Sequence, residues 1–579
     1  MAARFLAPGL LVLILALPLS AAAAPAWLGP ANLSTGASSS DLSIAVDAAG
    51  DAFAVWARSG TAQASHRPAG GTWSAAQGIS GSCLNSTGVQ LAVSPAGRAV
   101  AVWECPEGGN TIVQAAARAV RGSWSAPHDV SAPGHDAHAP QVALDRAGNA
   151  LAVWARSNGT DVVVQSAQQR ANGAWQAPQD VSGPGLDADL PDVALDPHGN
   201  GVAVWQSSDG SSSVIRAATR TAAGSWSGPQ AVSSGGFSER PHVGIDSAGD
   251  AVAVWSLNAA HVGVRAAAQR AGGSWSQPET LSDPAADALQ PQLAVDPRGD
   301  AVAAWASFDG RTYVIQSTSR PRGGAWQSAR DISARSPDLG APKVALDAAG
   351  NALAVWRGLR SARERTQAAR HPARGAWSAP AVLSRGSFDA DVPDVAVDAA
   401  GNGAAIWQSG NGVTWTVQAA GLDAAGPVLA PLRIAGNRVP RGRLAFSASP
   451  FDVWSALRSR PHWVFGDGTS ANGRRVAHAY ARAGSYTVRV SQSDVLGNGT
   501  TVARRIVVAA PCVVPGVVGS TLAAAKAEIG RRHCRTGKVT RSYSKTIRKG
   551  RVLAQRPAPG RHLANGGRVS LVVSRGKSR

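Results

Sequence analysis

Four short apolar runs separated by polar turns recur along most of the 579-residue chain. In the copy at 191–233, Val193-Ala194-Leu195 leads through the turn Asp196-Pro197-His198-Gly199-Asn200 into Val202-Ala203-Val204-Trp205. After the loop Ser207-Ser208-Asp209-Gly210 comes Val214-Ile215-Arg216-Ala217-Ala218-Thr219. Gly224-Ser225-Trp226 then introduces a closing run that ends Gln230-Ala231-Val232-Ser233. Runs this short, bounded by turn residues, predict four antiparallel strands per copy. The second run is apolar at every position, as in Ala251-Val252-Ala253-Val254-Trp255. A half-exposed strand would alternate, so this one is expected to be covered on both faces.

The copies keep a period of about 51 residues, marked twice by tryptophan. One series is Trp56, Trp103, Trp154, Trp205, Trp255, Trp305, Trp356 and Trp407; the other is Trp73, Trp124, Trp175, Trp226, Trp275, Trp326 and Trp377. A fixed period of this size means one unit copied and stacked, because a single copy cannot bury its own apolar faces. Sheets packed face to face around an axis satisfy the doubly covered strand, and the many alanines suit the narrow space near that axis. The expected fold is an eight-bladed β-propeller over 25–425. The eighth copy lacks a Gly-x-Trp segment, whereas Ala26-Trp27-Leu28-Gly29-Pro30-Ala31-Asn32-Leu33-Ser34 matches one. The N-terminal segment is therefore expected to complete the last blade and latch the ring; Gly426-Pro427-Val428 is the competing source of that strand.

The recurrent Asp-x-x-Gly-Asn/Asp signature, as in Asp145/Gly148/Asn149 and Asp347/Gly350/Asn351, reads as a turn. Asp caps its own backbone there and Gly accepts a positive φ. Copy two has Ser94 in place of the aspartate, which a turn tolerates better than a metal site would. No metal and no cofactor is expected. The more variable loops joining one copy to the next are where a rigid scaffold carries binding. Their acids Asp136, Asp187, Asp189, Asp287, Asp389 and Asp391 are the ring's candidate ligand-binding residues, set against the plainer reading of a solvated rim. HExxH, GxSxG and zinc-type Cys/His spacings are missing from the chain, so no catalytic residue is assigned.

Residues 1–24 read as a secretory signal, with Arg4, the apolar stretch Leu10–Leu19 and Ala22-Ala23-Ala24. That stretch is too short to span a bilayer, and no membrane span is expected. The four cysteines form two pairs, Cys83/Cys105 and Cys512/Cys534, which in an oxidising compartment are candidate disulfides. Of the net charge of +19, Cys512–Arg579 holds sixteen Lys/Arg against the single acid Glu528. A polyanionic partner is thus expected for the tail alone.

Trp463-Val464-Phe465-Gly466-Asp467-Gly468, Val476-Ala477-His478-Ala479-Tyr480 and Gly484-Ser485-Tyr486-Thr487-Val488 resemble the PKD family. That resemblance implies an immunoglobulin-like β-sandwich over 426–509, used in extracellular proteins as a spacer or interaction module. Val514-Pro515-Gly516-Val517-Val518-Gly519, the helical run Leu522–Ile529, Gln555-Arg556-Pro557-Ala558-Pro559-Gly560 and Val569-Ser570-Leu571-Val572-Val573-Ser574 are similar to the PASTA family. It implies a small α+β domain over 510–579, one helix against a sheet, associated with peptidoglycan recognition.

The chain as a whole is therefore expected to be all-β with a small α+β tail, secreted or associated with the cell wall. Lys538, Arg541, Lys545, Arg548, Lys549 and Arg551 are the candidate contacts to peptidoglycan or another anionic wall polymer. Nucleic acid is not expected, since the tail offers Tyr543 alone for stacking and the address is an exported one. The expected role is binding without catalysis, the ring presenting a face to a ligand, a glycan or another secreted protein. The alternatives are a glycan-active hydrolase or lyase with its site in the ring's funnel, and a scaffold for a secreted partner.

Overall fold

A computed structural model describes residues 25–36 and 39–578; the signal reading at 1–24 lies outside the described residues. Two compact units emerge, one of Pro25–Val428 with Phe451–Ala456, the other of Leu429–Pro450 with Leu457–Arg579.

The first unit is a propeller built of eight successive antiparallel groups of strands. Each of the first seven contributes its own four strands, such as Asp287–Val295, Ala301–Phe308, Tyr313–Arg320 and Arg330–Asp331. The eighth contributes Asp389–Val397, Gly403–Gly410 and Trp415–Asp423, and its outer edge is supplied from the N-terminus. Ala26 pairs with Asp423 and Ala31 with Ala419, so the latch comes from residues 26–32. Each first strand touches the first strand of the next group, and the eighth touches the first: the ring is closed. Closure removes the unpaired edges that would otherwise recruit other chains.

The fully apolar second strands are buried throughout, and all eight tryptophans of the first series are fully buried. Eight inter-blade clusters repeat one recipe. The face of one blade meets the buried tryptophan of the next, with that blade's second tryptophan half-buried beside it, as for Leu151, Val153, Trp205 and Trp226. In the cluster around Trp407, Trp27 takes this second place. The serine that closes each copy has a defined role. Ser80, Ser131, Ser182, Ser233, Ser282, Ser333 and Ser384 each accept a hydrogen bond from a third-strand amide of their own blade. In the eighth blade Ser34 does so for Val417 N–H at 3.0 Å, across 383 positions of sequence.

The Asp-x-x-Gly-Asn/Asp signature is a turn. Asp145 Oδ1 accepts Asn149 N–H at 2.8 Å, Asn149 Nδ2 donates to Asp145 Oδ2 at 2.7 Å, and Gly148 has φ +82°. Asn149 Oδ1 in turn accepts Ala171 N–H at 3.2 Å, which ties this turn to the one between the third and fourth strands. Cys83 and Cys105 are disulfide-bonded at one edge of the second blade.

In the second unit, a three-stranded sheet (Arg433–Gly436, Leu444–Ser447, Arg475–His478) and a four-stranded one enclose Phe446, Trp463, Phe465, Tyr480, Val488 and Ile506. Trp463 Nε1 donates to Gly473 O at 2.8 Å and Tyr480 Oη to Phe465 O at 2.9 Å, so the buried aromatics keep their polar atoms paired. Asp467 accepts hydrogen bonds from Thr469 N–H and Oγ1 and lies 2.8 Å from His478 Nε2, in keeping with a turn residue. The tail packs the helix Leu522–Arg531 against the sheet Arg535–Ser542, Arg568–Ser574 and Val552–Arg556. Thr521 caps the helix by accepting Ala524 N–H at 3.3 Å. Val517, Ala525, Ile529, Val552, Val569 and Leu571 form the core, stapled by the Cys512–Cys534 disulfide.

Candidate functional sites in the tail and at the ring mouth

The tail is small, so most of its cations stay on the surface. Lys538 and Arg541 lie on the edge strand Arg535–Ser542, and Lys545, Arg548, Lys549 and Arg551 follow in the segment leading to Val552. All six are exposed. Arg551 donates to Gly519 O at 2.7 Å. Glu528 is taken by Arg531 and Arg532, so among the described residues none of the six has an acidic partner. The chemistry on offer is a set of solvated cations able to meet carboxylates or phosphates spaced along a polymer.

At the ring, the four-to-one connections and the two-to-three hairpins share one face. The six candidate acids on this face divide in two. Asp136, Asp187, Asp287 and Asp389 accept the backbone N–H of Thr111, Val162, Val262 and Glu364, respectively, and so hold each blade's third strand to the connection that follows it. Asp189 and Asp391 stand two residues further along, at the mouth of the ring.

There the first strands are irregular in a repeated way. Seven of them carry a β-bulge at the same register, between Asp189 and Asp192 in the fourth blade and between Asp391 and Asp394 in the eighth. A residue at positive φ sits in each: Asp41, Gly88, Ala139, Leu190, Arg240, Gln290 and Val392. Six of the seven are not glycine, and a β-branched residue such as Val392 is especially ill-suited to φ 50°. Backbone strain held at one register by the surrounding fold is typical of places that re-aim side chains.

Below the bulges, eight polar side chains follow one another around the inner strands: Ser43, Gln90, Gln141, Asp192, His242, Gln292, Lys343 and Asp394. His242 Nδ1 lies 3.4 Å from Asp192 Oδ2, and its Nε2 lies 3.0 Å from the Gln292 carboxamide, so three blades share one chain of contacts. Burial pushes the Asp394 carboxyl above its ordinary value, against the pull of Lys343 and of Ile44 N–H. Two residues deeper, every blade has alanine or glycine: Ala45, Ala92, Ala143, Ala194, Gly244, Ala294, Ala345 and Ala396.

At the mouth itself His138 Nε2 lies 3.0 Å from Asp189 Oδ1. That hydrogen bond raises the imidazole pKa. Burial pushes Asp189 up, but the bonds from His138 and Leu190 N–H outweigh it and hold the carboxyl below its usual value. Arg357 binds Asp338 through two nitrogens at 2.8 and 3.0 Å, reaches Asp391 at 3.2 Å and also contacts Glu364. His138, His242, Arg357 and the bulge residues carry no sequence signature, because the residue type changes from blade to blade.

Residues 436–508 match the family model of the PKD domain, and residues 513–575 that of the PASTA domain. The chain carries a PKD domain and a PASTA domain. Over 63 residues it is 38% identical to a probable serine/threonine-protein kinase of Clostridium acetobutylicum, a match covering 11% of this chain and about a tenth of that protein's length. Similar solved structures include the BP39L lectin of Burkholderia pseudomallei, at 15% identity and TM-score 0.43, covering 61% of this chain and 100% of that one. The NanB sialidase of Streptococcus pneumoniae is another, at 8% identity and TM-score 0.34, covering 67% and 93%. Among the described residues no helix is long and apolar enough to cross a membrane.

Proposed function

We propose that this is an extracellular, wall-associated binding protein. Its PASTA domain holds peptidoglycan or another anionic wall polymer, its PKD domain spaces the units, and its ring presents a recognition face without catalysing a reaction. The observation that carries the reading is the set of six exposed cations, without acidic partners among the described residues, on a domain whose family is associated with peptidoglycan. The two disulfides support an oxidising, extracellular address.

The test is sedimentation of the full chain with purified peptidoglycan, beside a variant in which Lys538, Arg541, Lys545, Arg548, Lys549 and Arg551 are all glutamine. All six are exposed, so the substitutions leave the core of the domain intact. The native chain is expected in the pellet and the variant mostly in the supernatant. Equal sedimentation of the two would contradict the assignment.

A further inference from the structure

The geometry points to a sugar-binding subsite at the ring mouth, in a cavity of about 360 Å³ bordered by the fifth, sixth and seventh blades. The ligand it fits is a single uncharged pyranose carrying an acetamido group. This inference deepens the recognition role proposed above and rests on that reading for the supply of wall sugar.

The volume is at the low end for small-molecule pockets, the size for one sugar ring rather than a chain. One wall is Tyr313, whose backbone N–H and C=O are both bonded to Ser336 and whose ring stacks on Phe308 at 4.4 Å between centroids. An aromatic face fixed in this way suits the C–H face of a pyranose. Leu289 and Leu339 line the apolar side of the cavity, the place for an acetamido methyl group.

The polar groups are left unspent. Arg240 has no side-chain hydrogen bond or ion pair among the described residues. Glu239 receives one hydrogen bond, from Asn258 Nδ2 at 3.3 Å, which leaves acceptor capacity for sugar hydroxyls. Asp338, the other acid on the wall, is bound by Arg357, so the Arg240 guanidinium and the Glu239 carboxylate stand side by side as a charged donor and a charged acceptor for the hydroxyl and amide groups of an uncharged sugar. Arg240 and Gln290 line the cavity from neighbouring blades, at φ 54° and 53°.

Saturation-transfer NMR on the full chain, with N-acetylmuramic acid and N-acetylglucosamine as separate soluble probes, tests the assignment. N-acetylglucosamine is expected to bind, and N-acetylmuramic acid no more tightly, because the Glu239 carboxylate offsets the pull of Arg240 on a ligand carboxylate. Arg240→Gln is expected to weaken N-acetylglucosamine by about fivefold, the loss of one charge-assisted contact. Tyr313→Ala should weaken both by about tenfold, and Tyr313→Phe should restore most of the loss. Arg240 is exposed, so its substitution does not put folding at risk if Tyr313→Ala does. The six-glutamine tail variant is expected to keep sugar binding while losing the wall, which separates failure of this site from failure of the tail. No transfer to either sugar at millimolar concentration, or binding indifferent to both Arg240→Gln and Tyr313→Ala, would overturn the subsite.

Discussion

Removing the latch should loosen the whole ring, and the cost can be worked out from its contacts. In a Trp27→Ala/Leu33→Ala/Ser34→Ala variant, half-buried Trp27 withdraws from the cluster of Leu353, Val355, Trp407 and Leu422. Large-to-small substitutions in full cores cost about 3–5 kcal/mol for an aromatic and 2–5 for leucine, so half-burial puts Trp27 at about 2 kcal/mol. Leu33, only 6% exposed, adds about 2–3 kcal/mol. Losing the Ser34 hydroxyl leaves the buried Val417 N–H without its acceptor, at about 1–2 kcal/mol. Neighbouring substitutions do not simply add, so the sum of about 5–7 kcal/mol is an upper value. For a unit of roughly four hundred residues this lowers Tm by about 6–8 °C. The eighth blade's third strand, Trp415–Asp423, would also be left as an open edge, and self-association should follow. Scanning calorimetry and light scattering read the two effects, with Ser233→Ala as the control for one serine bond inside an unlatched blade. A triple variant that melts with the native protein and stays monomeric would refute the latch.

Three further outcomes follow from the mouth and the proposed role. His138, raised by Asp189, stabilises the fold fully below about pH 6.5 and loses that contribution as pH rises through its folded pKa; Asp189, depressed, contributes fully above about pH 3.9 and loses it as pH falls through its own. The pair is thus fully formed between these limits, and the His138 imidazole, followed by NMR, should titrate above its ordinary value in the native chain and return to it in Asp189→Asn. Arg357→Met leaves Asp338, Glu364 and Asp391 facing one another without their shared cation and should cost about 1–3 kcal/mol, discounted from a fully buried pair because the acids are partly exposed; urea unfolding at low salt reads the loss, and an unchanged midpoint would contradict it. Prolonged incubation with purified wall should release no reducing sugar or muropeptide, whereas sustained turnover abolished by one acid-to-amide change would favour an enzyme.

What could be read before the structure was whatever the fold repeats with one residue type. Trp205 and its counterparts are visible because every inter-blade space needs the same large apolar wedge. The Ala26–Ser34 match was enough to place the latch, since Trp27 and Ser34 occupy positions used in every other blade. The mouth was not legible in this way. Asp41, Ala139, Leu190, Arg240, Gln290 and Val392 share a backbone conformation but no chemistry, and without a glycine nothing in the sequence marks a positive φ. The acids of the connections were visible as a period, yet Asp136 or Asp287 binding an amide looks the same in sequence as one facing a ligand. Arg357 brings together Asp338, Glu364 and Asp391 only through the register of adjacent strands, which no local pattern encodes.

The most direct test of the central claim, that charge on the PASTA domain holds the protein to an anionic polymer, is the affinity for purified wall measured as salt is raised. Screening lengths shrink from about 30 Å at 0.01 M to about 3 Å at 1 M, so affinity should fall steadily across that range. The six-glutamine variant should start weaker and respond far less. Wall affinity that is flat in salt, or an equal response from both proteins, would contradict the account.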